Sequence, residues 1–426
     1  MVVLDEVRSR RRYDLALTVS TDNMRNHHHL RHRELMRQKD LPYGVRVFAW
    51  ARAIRWIGWG FGETLLPVFI ILFSKSFAEA GFFSSSVDIA GLISLPFIGL
   101  WADKVPARRL ILWSLILYPI VGASYFLAGA LGLSIYVVIA RVANGVTWEL
   151  ENVGIETYYR RIIDRTHIAA SFGYIETWSH AAWIAAALVG MVLVQFFPIY
   201  DLLFLIAPFA LIAYVVALNA PKDSPKADKE PRLSFLRTYR KAVSEWRTWD
   251  SGLWIVSALI LFSSILSALM YFFIPIDAYL TGANLTMVVL ITVFGSIPAL
   301  FSYKLGRLAD IRNKYHLIAF GLCATAVIAI GLAVFPQYWF KLLAMFLLGI
   351  ILELFYVAQS ALITTLGPSE TYGKRGSAFE SIITLGDLSA PLILGIGLDI
   401  LGFSNISLIV ACGALVLAVG YRWMKS

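Results

Sequence analysis

Ionisable side chains stand inside stretches of this sequence that are otherwise apolar. A charge in apolar surroundings is costly, so such a residue faces a protein interior or a water-filled path. Buried acids and histidines of this kind bind and release protons, and buried arginines pair with acids. The candidates for this proton chemistry are Glu63, Arg141, Glu149, Glu176, His180, Glu353, Glu380 and Asp387.

Glu63 and Arg141 are the first pair to consider. At a rise of about 1.5 Å per residue, Glu63 lies about 24 Å along its helix and Arg141 about 10 Å along a neighbour that runs the other way. Both therefore come near the middle of a bilayer, where an unpaired charge is expensive. We expect an ion pair or an alternating pair, in which protonation of Glu63 frees Arg141. A static structural salt bridge is the alternative.

Other acids compete for the same role. Glu176 and His180 are four residues apart, so they share a helix face and either relay a proton or form a structural pair. Glu380 and Asp387 also share a face, because seven residues make about two turns. Glu149 and its neighbour Glu151 are about 200° apart, so they do not both face one cavity. The sequence therefore does not select one proton carrier.

Enzymatic chemistry is not indicated. The sequence has no HExxH zinc motif, no phosphate-binding Walker loop and no Gly-x-Ser-x-Gly elbow. We therefore predict no enzyme activity, no cofactor and no metal. Transport is expected to use a gradient, or no energy source, rather than ATP.

The composition shows which elements position these residues. Hydrophobic residues make up 58% and charged residues 15% of the 426. Apolar stretches of about 20 residues match a bilayer core of about 30 Å, where each must be helical to satisfy its own backbone. We predict twelve spans, numbered in order: 47–73, 80–101, 109–131, 134–157, 167–195, 200–219, 252–277, 284–304, 316–335, 338–365, 376–400 and 405–424.

Basic residues give the orientation. They crowd the tail and the turns after even-numbered spans, whereas the other turns carry only Lys75 and Lys341. The side of the membrane that holds the tail and the turns after even-numbered spans is called the basic end. The other side is called the opposite end. The positive-inside rule predicts that the basic end and both termini are cytoplasmic. The net charge of +9 then reflects topology and anionic lipid rather than nucleic acid. We expect a multi-pass protein of the cell membrane.

The sequence also divides into two similar halves. The segment from Gly99 to Asp103 after span 2 recurs from Gly306 to Asp310 after span 8, and Pro67 corresponds to Pro275. We predict a basic tail at 1–45, a six-helix bundle at 46–219, a linker with an amphipathic helix at 220–251, and a second bundle at 252–426. Such repeats are typical of transporters whose halves rock about a central site.

Charge positions predict which spans line that site. Spans 3, 6, 9 and 12 have almost no ionisable residues and are placed at the periphery, whereas the other eight surround a polar pathway. Tryptophans on pathway spans stack on aromatic, cationic or amphipathic solutes, or simply pack between helices. The candidates for lining the solute path are Trp59, Asn144, Trp148 and Tyr271.

These motifs resemble those of the major facilitator superfamily. Its loop signature after helix 2 is matched at Gly99, Ala102, Asp103, Lys104 and Arg108. A second copy is matched at Gly306, Leu308, Ala309, Asp310 and Lys314. The segment from Arg141 to Gly145 resembles the family's R-x-x-Q-G element, with Asn144 in place of Gln.

The resemblance implies an all-α fold of two six-helix bundles. It further implies that Gly99, Asp103, Arg108, Gly306 and Asp310 form a latch that breaks on inward opening. The family's helix 4 arginine is associated with proton coupling in exporters, which favours proton-driven export of a small organic solute by a monomer. The Gly-Pro element frequent in helix 5 of antiporters is absent, so a symporter or uniporter for sugars, organic acids or ions stays open. A non-transporting receptor or scaffold is the alternative of another class.

Overall fold

The computed structural model of the protein describes residues 41–162, 168–223, 251–301, 305, 308, 313–365 and 372–423. Within these ranges all regular secondary structure is helical. Nine helical segments of the described part are long and apolar enough to cross a membrane. The prediction of an all-α membrane protein is therefore confirmed. The basic tail and most of the linker at 220–251 lie outside the described residues.

The helices of the first half follow the predicted spans closely. They are Tyr43–Gly60, a 3-10 turn at Glu63–Leu65, Leu66–Leu72, Phe77–Lys104, Ala107–Leu131, Ser134–Ile162, Ile168–Leu193, Ile199–Phe204 and Ile206–Ala217. The helix Ser134–Ile162 is span 4, and it carries Arg141, Glu149 and Glu151 along its length. Hydropathy alone therefore does not mark it as one of the nine membrane-crossing segments.

The second half repeats this order of elements. Its helices are Ser251–Ala268, a π-helical turn at Leu269–Phe273, Ile274–Leu280, Leu285–Ser296, a 3-10 turn at Ile297–Phe301, Lys314–Val334, Tyr338–Thr365 and Tyr372–Trp423. Gly402 has φ 76° and ψ 167°, which is not helical, and it separates the residues predicted as spans 11 and 12. Glycine reaches this conformation without a steric penalty.

Spans 1 and 7 are interrupted at matching positions. Span 1 leaves the α-helix after Gly60 and resumes just before Pro67. Span 7 changes to a π-helical turn and resumes just before Pro275. Proline removes a helix hydrogen bond, so a break before it costs less than elsewhere. The repeat that pairs the two prolines also pairs Glu63 with Tyr271, and both lie in the irregular turns.

Small residues allow the pathway spans to approach closely. A side-chain carbon at Gly145 of span 4 would overlap the carbonyl oxygen of Val87 in span 2. In the second half, one at Gly349 of span 10 would overlap the carbonyl oxygen of Gly295 in span 8. Membrane helices pack by such close backbone contact because lipid supplies no hydrophobic drive between them.

Gly145→Ala is expected to lower the stability of the purified protein by about 1–3 kcal/mol, the usual cost of overpacking. The added methyl group meets backbone, which cannot turn away as a side chain can. Gly420→Ala is the matched control, because nothing lies within 4 Å of a side-chain carbon at Gly420. Thermal unfolding in detergent measures both variants. Equal melting temperatures would contradict the close contact between spans 4 and 2.

Candidate functional site

A cavity of about 540 Å³ lies between the two halves of the molecule. Side chains of the first half and of the second half both line it, which is what a central pathway requires. The predicted residues that reach it are Glu63, Arg141, His180, Tyr271, Glu353 and Asp387. Asp88 of span 2 joins them.

Glu63 is held in the cavity wall by span 5. The indole nitrogen of Trp183 donates a hydrogen bond of 2.6 Å to its Oε2. Glycines allow this approach, because a side-chain carbon at Gly60 would collide with Trp183 and one at Gly190 with Phe61. The carboxylate is therefore oriented by a neutral donor.

Arg141 binds backbone rather than Glu63. Its Nε donates to the carbonyl oxygen of Phe83 at 3.3 Å and its Nη2 to that of Ser84 at 2.6 Å. Gly145, one turn further along span 4, permits this contact with span 2. The predicted Glu63–Arg141 ion pair is thus not formed in this conformation, although both residues line one cavity. The alternating pair stays a prediction.

A buried ion cluster lies beside the cavity, toward the basic end. Arg55 Nε lies 2.7 Å from Glu151 Oε2, and Arg52 Nε lies 3.8 Å from Glu151 Oε1. Arg52 Nη2 also lies 3.3 Å from Glu176 Oε1. Glu176 Oε2 is 3.8 Å from Nε2 of His180, which lines the cavity, so these two residues do share a face.

Arg55 and Glu151 are not among the site residues predicted from the sequence. Their side chains are 1% and 2% exposed, and the Arg55 guanidinium lies over the Tyr118 ring at 4.8 Å. A signal was present in the sequence, because Arg52 and Arg55 are three residues apart within predicted span 1. They therefore share a helix face. Two arginines on one buried face predict an acid that pairs with them.

Several predicted residues lie elsewhere. None of Trp59, Asn144, Trp148 and Glu149 is among the residues that line this cavity. Trp148 packs against Trp56 with ring centroids 6.0 Å apart, Trp59 packs on Tyr118, and Glu149 lies against Gly91. The aromatic residues that reach the cavity are Trp56, Trp183, Tyr271 and Phe272. The lining of the solute path by Trp59, Asn144 and Trp148 stays a prediction. The sequence indicates the depth of these residues along their helices but not their rotation about the helix axes.

The predicted latch residues are described only in part. The side chain of Asp103, residues Gly306 and Asp310, and the side chain of Glu380 lie outside the described part of the chain. A side-chain carbon at Gly99 would meet open space. Arg108 Nη2 donates to the Leu218 carbonyl oxygen at 2.6 Å, which is a contact within the first half.

Asp223 organises the basic end of the first half. Its carboxylate accepts hydrogen bonds from the backbone nitrogens of Ala107 and Arg108 at 2.8 and 3.1 Å. It therefore caps the helix of span 3, whose first N–H groups have no partner within the helix. Arg161 Nη1 lies 2.7 Å from the same carboxylate. The start of the predicted linker is thus fixed to the ends of spans 3 and 4.

The two halves meet at the opposite end. The carboxylate of Asp399 in span 11 accepts hydrogen bonds from the backbone nitrogens of Phe77 and Ala78 in span 2, at 2.9 and 2.8 Å. Side-chain carbons at Gly81 and Gly395 would overlap the carbonyl oxygens of Pro391 and Phe77. Spans 2 and 11 are therefore in backbone contact at this end.

A sequence comparison identifies the family of this arrangement. The profile of the Major Facilitator Superfamily matches residues 49–336, which is more than half of the chain. The chain belongs to the major facilitator superfamily. The resemblance seen in the sequence motifs is thereby confirmed at the level of the superfamily, and the exporter branch stays a prediction.

Solved structures of superfamily transporters have the same fold. The nucleoside transporter NupG is 16% identical, with a TM-score of 0.72 over 90% of this chain and 100% of that one. The D-xylose-proton symporter is 14% identical, with a TM-score of 0.69 over 88% and 96%. A bacterial homologue of the human lysosomal transporter Spinster, inward-facing and unoccupied, is 13% identical, with a TM-score of 0.68 over 89% and 95%. A comparison with curated proteins finds no match.

Membership in the superfamily carries a general function. Together with the transporter folds, it supports a secondary transporter that moves a small molecule across a membrane, rather than an enzyme. Similarity at these identities shows the fold alone.

Proposed function

We propose that this protein is a monomeric proton-coupled transporter of a small organic solute in the cell membrane, with twelve spans and both termini in the cytoplasm. The central observation is that Glu63 and Arg141 line one cavity between the halves, where each binds a different partner. Carboxylates inside a membrane mark proton pathways. The solute and the proton then use one cavity, which is the simplest basis for coupling.

Alternating access follows from the contacts between the halves. The backbone contacts of spans 2 and 11 and the bond from Thr286 Oγ1 to the Met191 carbonyl oxygen, at 3.5 Å, all lie at the opposite end. A closed opposite end supports a cavity that opens toward the basic end, and this is an inward-facing state if the basic end is cytoplasmic. Rocking of the halves then breaks these contacts and opens the other side.

We assign proton coupling to Glu63, because its interaction with Arg141 depends on whether its carboxyl group is protonated. The ionised carboxylate accepts the Trp183 hydrogen bond and lines the same cavity as the positive Arg141. Protonation removes the negative charge of Glu63 from the cavity that Arg141 also lines. A conformation that brings the two residues together then loses their electrostatic attraction, and the balance between conformations shifts. Glu176 and His180 extend from the buried ion cluster to the cavity, and they are the proposed route for protons.

Solute export in exchange for protons is the proposed direction. Proteoliposomes with pyranine inside test it, using a panel of nucleosides, D-xylose and aromatic amines added outside. Exchange of solute for protons makes the lumen alkaline, symport makes it acidic, and a uniporter changes nothing. Acidification would overturn export and leave a symporter.

Glu63→Gln is expected to abolish the pyranine signal while solute still exchanges across the membrane. Glutamine keeps an oxygen for the Trp183 bond but carries no titratable proton. Glu156→Gln is the matched control, because Glu156 is exposed at the basic end and pairs with Arg160 outside the cavity. An undiminished proton signal in Glu63→Gln would exclude Glu63 as the proton carrier.

A further inference from the structure

Resting on the proposed transport function, we infer that the solute is a monovalent organic cation with an aromatic body, whose charge sits between Asp88 and Asp387. Of the described residues that line the cavity, four are acids, Glu63, Asp88, Glu353 and Asp387, and the bases are Arg141 and His180. The lining therefore carries four carboxyl groups and one arginine. Low-dielectric walls strengthen such an imbalance and concentrate cations.

Arg141 is not available to bind an anion. Its residue is 8% exposed, and its guanidinium donates to the carbonyl oxygens of Phe83 and Ser84. An anionic solute would have to displace these bonds while meeting four acids. A neutral solute would add no positive charge to a lining in which acids outnumber arginine. A cation is the class that satisfies the lining.

Asp88 and Asp387 come from different halves. Asp88 lies on span 2, and Asp387 lies on span 11, where its Oδ1 accepts a hydrogen bond of 2.7 Å from Ser264 Oγ. Both carboxylates line the same cavity, so each half of the molecule contributes one of them. Like charges oppose the approach of the halves, and a cation between them reverses that effect. Binding of the solute would thereby favour closure of the halves around it.

The rest of the lining favours an organic cation over a metal ion. The described residues contain no group of three His, Cys, Asp or Glu side chains that is arranged to hold a metal. By contrast, Trp56, Trp183 and Tyr271 bring aromatic rings to the cavity. Aromatic faces attract organic ammonium and phosphonium ions. A cavity of about 540 Å³ also has the size of a site for a drug-like molecule.

Equilibrium dialysis of the purified protein with tetraphenylphosphonium tests this inference. Tetraphenylborate has the same shape and the opposite charge, so it is the matched probe, and empty micelles give the blank. We expect the phosphonium ion to bind at least about tenfold more tightly than the borate ion. Asp88→Asn and Asp387→Asn should each weaken phosphonium binding by about tenfold or more, whereas Glu156→Gln should not. Circular dichroism and thermal unfolding verify that the variants are folded.

Equal binding of both probes, or phosphonium binding that survives both aspartate substitutions, would overturn the inference. Saturable Mn²⁺ binding that depends on the two aspartates would overturn it in favour of a metal site. The outcome is separable from the proposed function. Proton-coupled movement of a neutral or anionic solute, without phosphonium binding, would reject the cation and keep the transporter. Phosphonium binding without any proton-coupled movement would keep the cation site and reject the proton-coupled transporter.

Discussion

Glu151→Leu is expected to lower the stability of the protein by about 3–5 kcal/mol, as is usual when one partner of a buried ion pair is removed. Glu151 lies between Arg52 and Arg55, and its contact with Arg55 Nε is 2.7 Å. Without it, Arg55 stays 1% exposed among Tyr118, Trp56 and Trp148, which do not replace a negative charge. Thermal unfolding in detergent measures the loss.

The double variant Arg55→Met and Glu151→Leu should recover most of that stability. Replacing both charges with apolar side chains of similar size removes the cost of burying them. A double-mutant cycle then gives the coupling of the two residues. The pair Arg160–Glu156 serves as control, because its side chains are 69% and 48% exposed. Its removal should change stability by less than about 1 kcal/mol. A double variant no more stable than Glu151→Leu would show that the cluster is not held by this pair.

The cluster also shows what sequence reasoning lacked. Hydropathy and charge located the helices because every span must match the thickness of the bilayer and must be helical to satisfy its backbone hydrogen bonds. They did not give rotation about the helix axis. Arg52 and Arg55 lie close enough to the basic end to be mistaken for topological charges, yet they turn inward to Glu151 of span 4. Only the packing of spans 1 and 4 reveals this.

A rise of about 1.5 Å per residue gives the depth of Glu63 only if span 1 is a straight helix. Span 1 is not straight, because its helix is interrupted between Gly60 and Leu66, where Glu63 stands. Arg141 instead binds a carbonyl group of span 2, because Gly145 allows spans 4 and 2 to come into contact. The sequence did hold a sharper signal. The repeat that relates Pro67 to Pro275 makes Glu63 and Tyr271 equivalent positions of the two halves, and both residues line the cavity.

Asp399→Ala is expected to weaken the closed opposite end and to lower its population relative to the open form by about tenfold to a hundredfold. Asp399 supplies both carboxylate oxygens to the first N–H groups of the span 2 helix, at 2.9 and 2.8 Å. These charge-assisted bonds also meet the positive end of the helix dipole. Because they are partly exposed, about 1.4–2.8 kcal/mol is a reasonable total, which corresponds to that range of populations.

Spin labels across the opposite end measure the shift. Leu133→Cys in the first half and Phe335→Cys in the second are exposed positions, introduced after Cys323 and Cys412 are changed to serine. Double electron–electron resonance should show a longer distance component in Asp399→Ala. Glu79→Gln is the control, because Glu79 accepts a hydrogen bond from Lys75 within the first half.

The result separates two ways of holding the halves together. If the carboxylate holds them, Asp399→Ala lengthens the distance and Asp399→Asn, which keeps one accepting oxygen but no charge, falls between. If backbone packing holds them, both variants match the wild type, and Gly81→Val lengthens the distance instead, because Gly81 lies against Pro391. The first outcome makes closure depend on one ionisable group that faces a helix terminus.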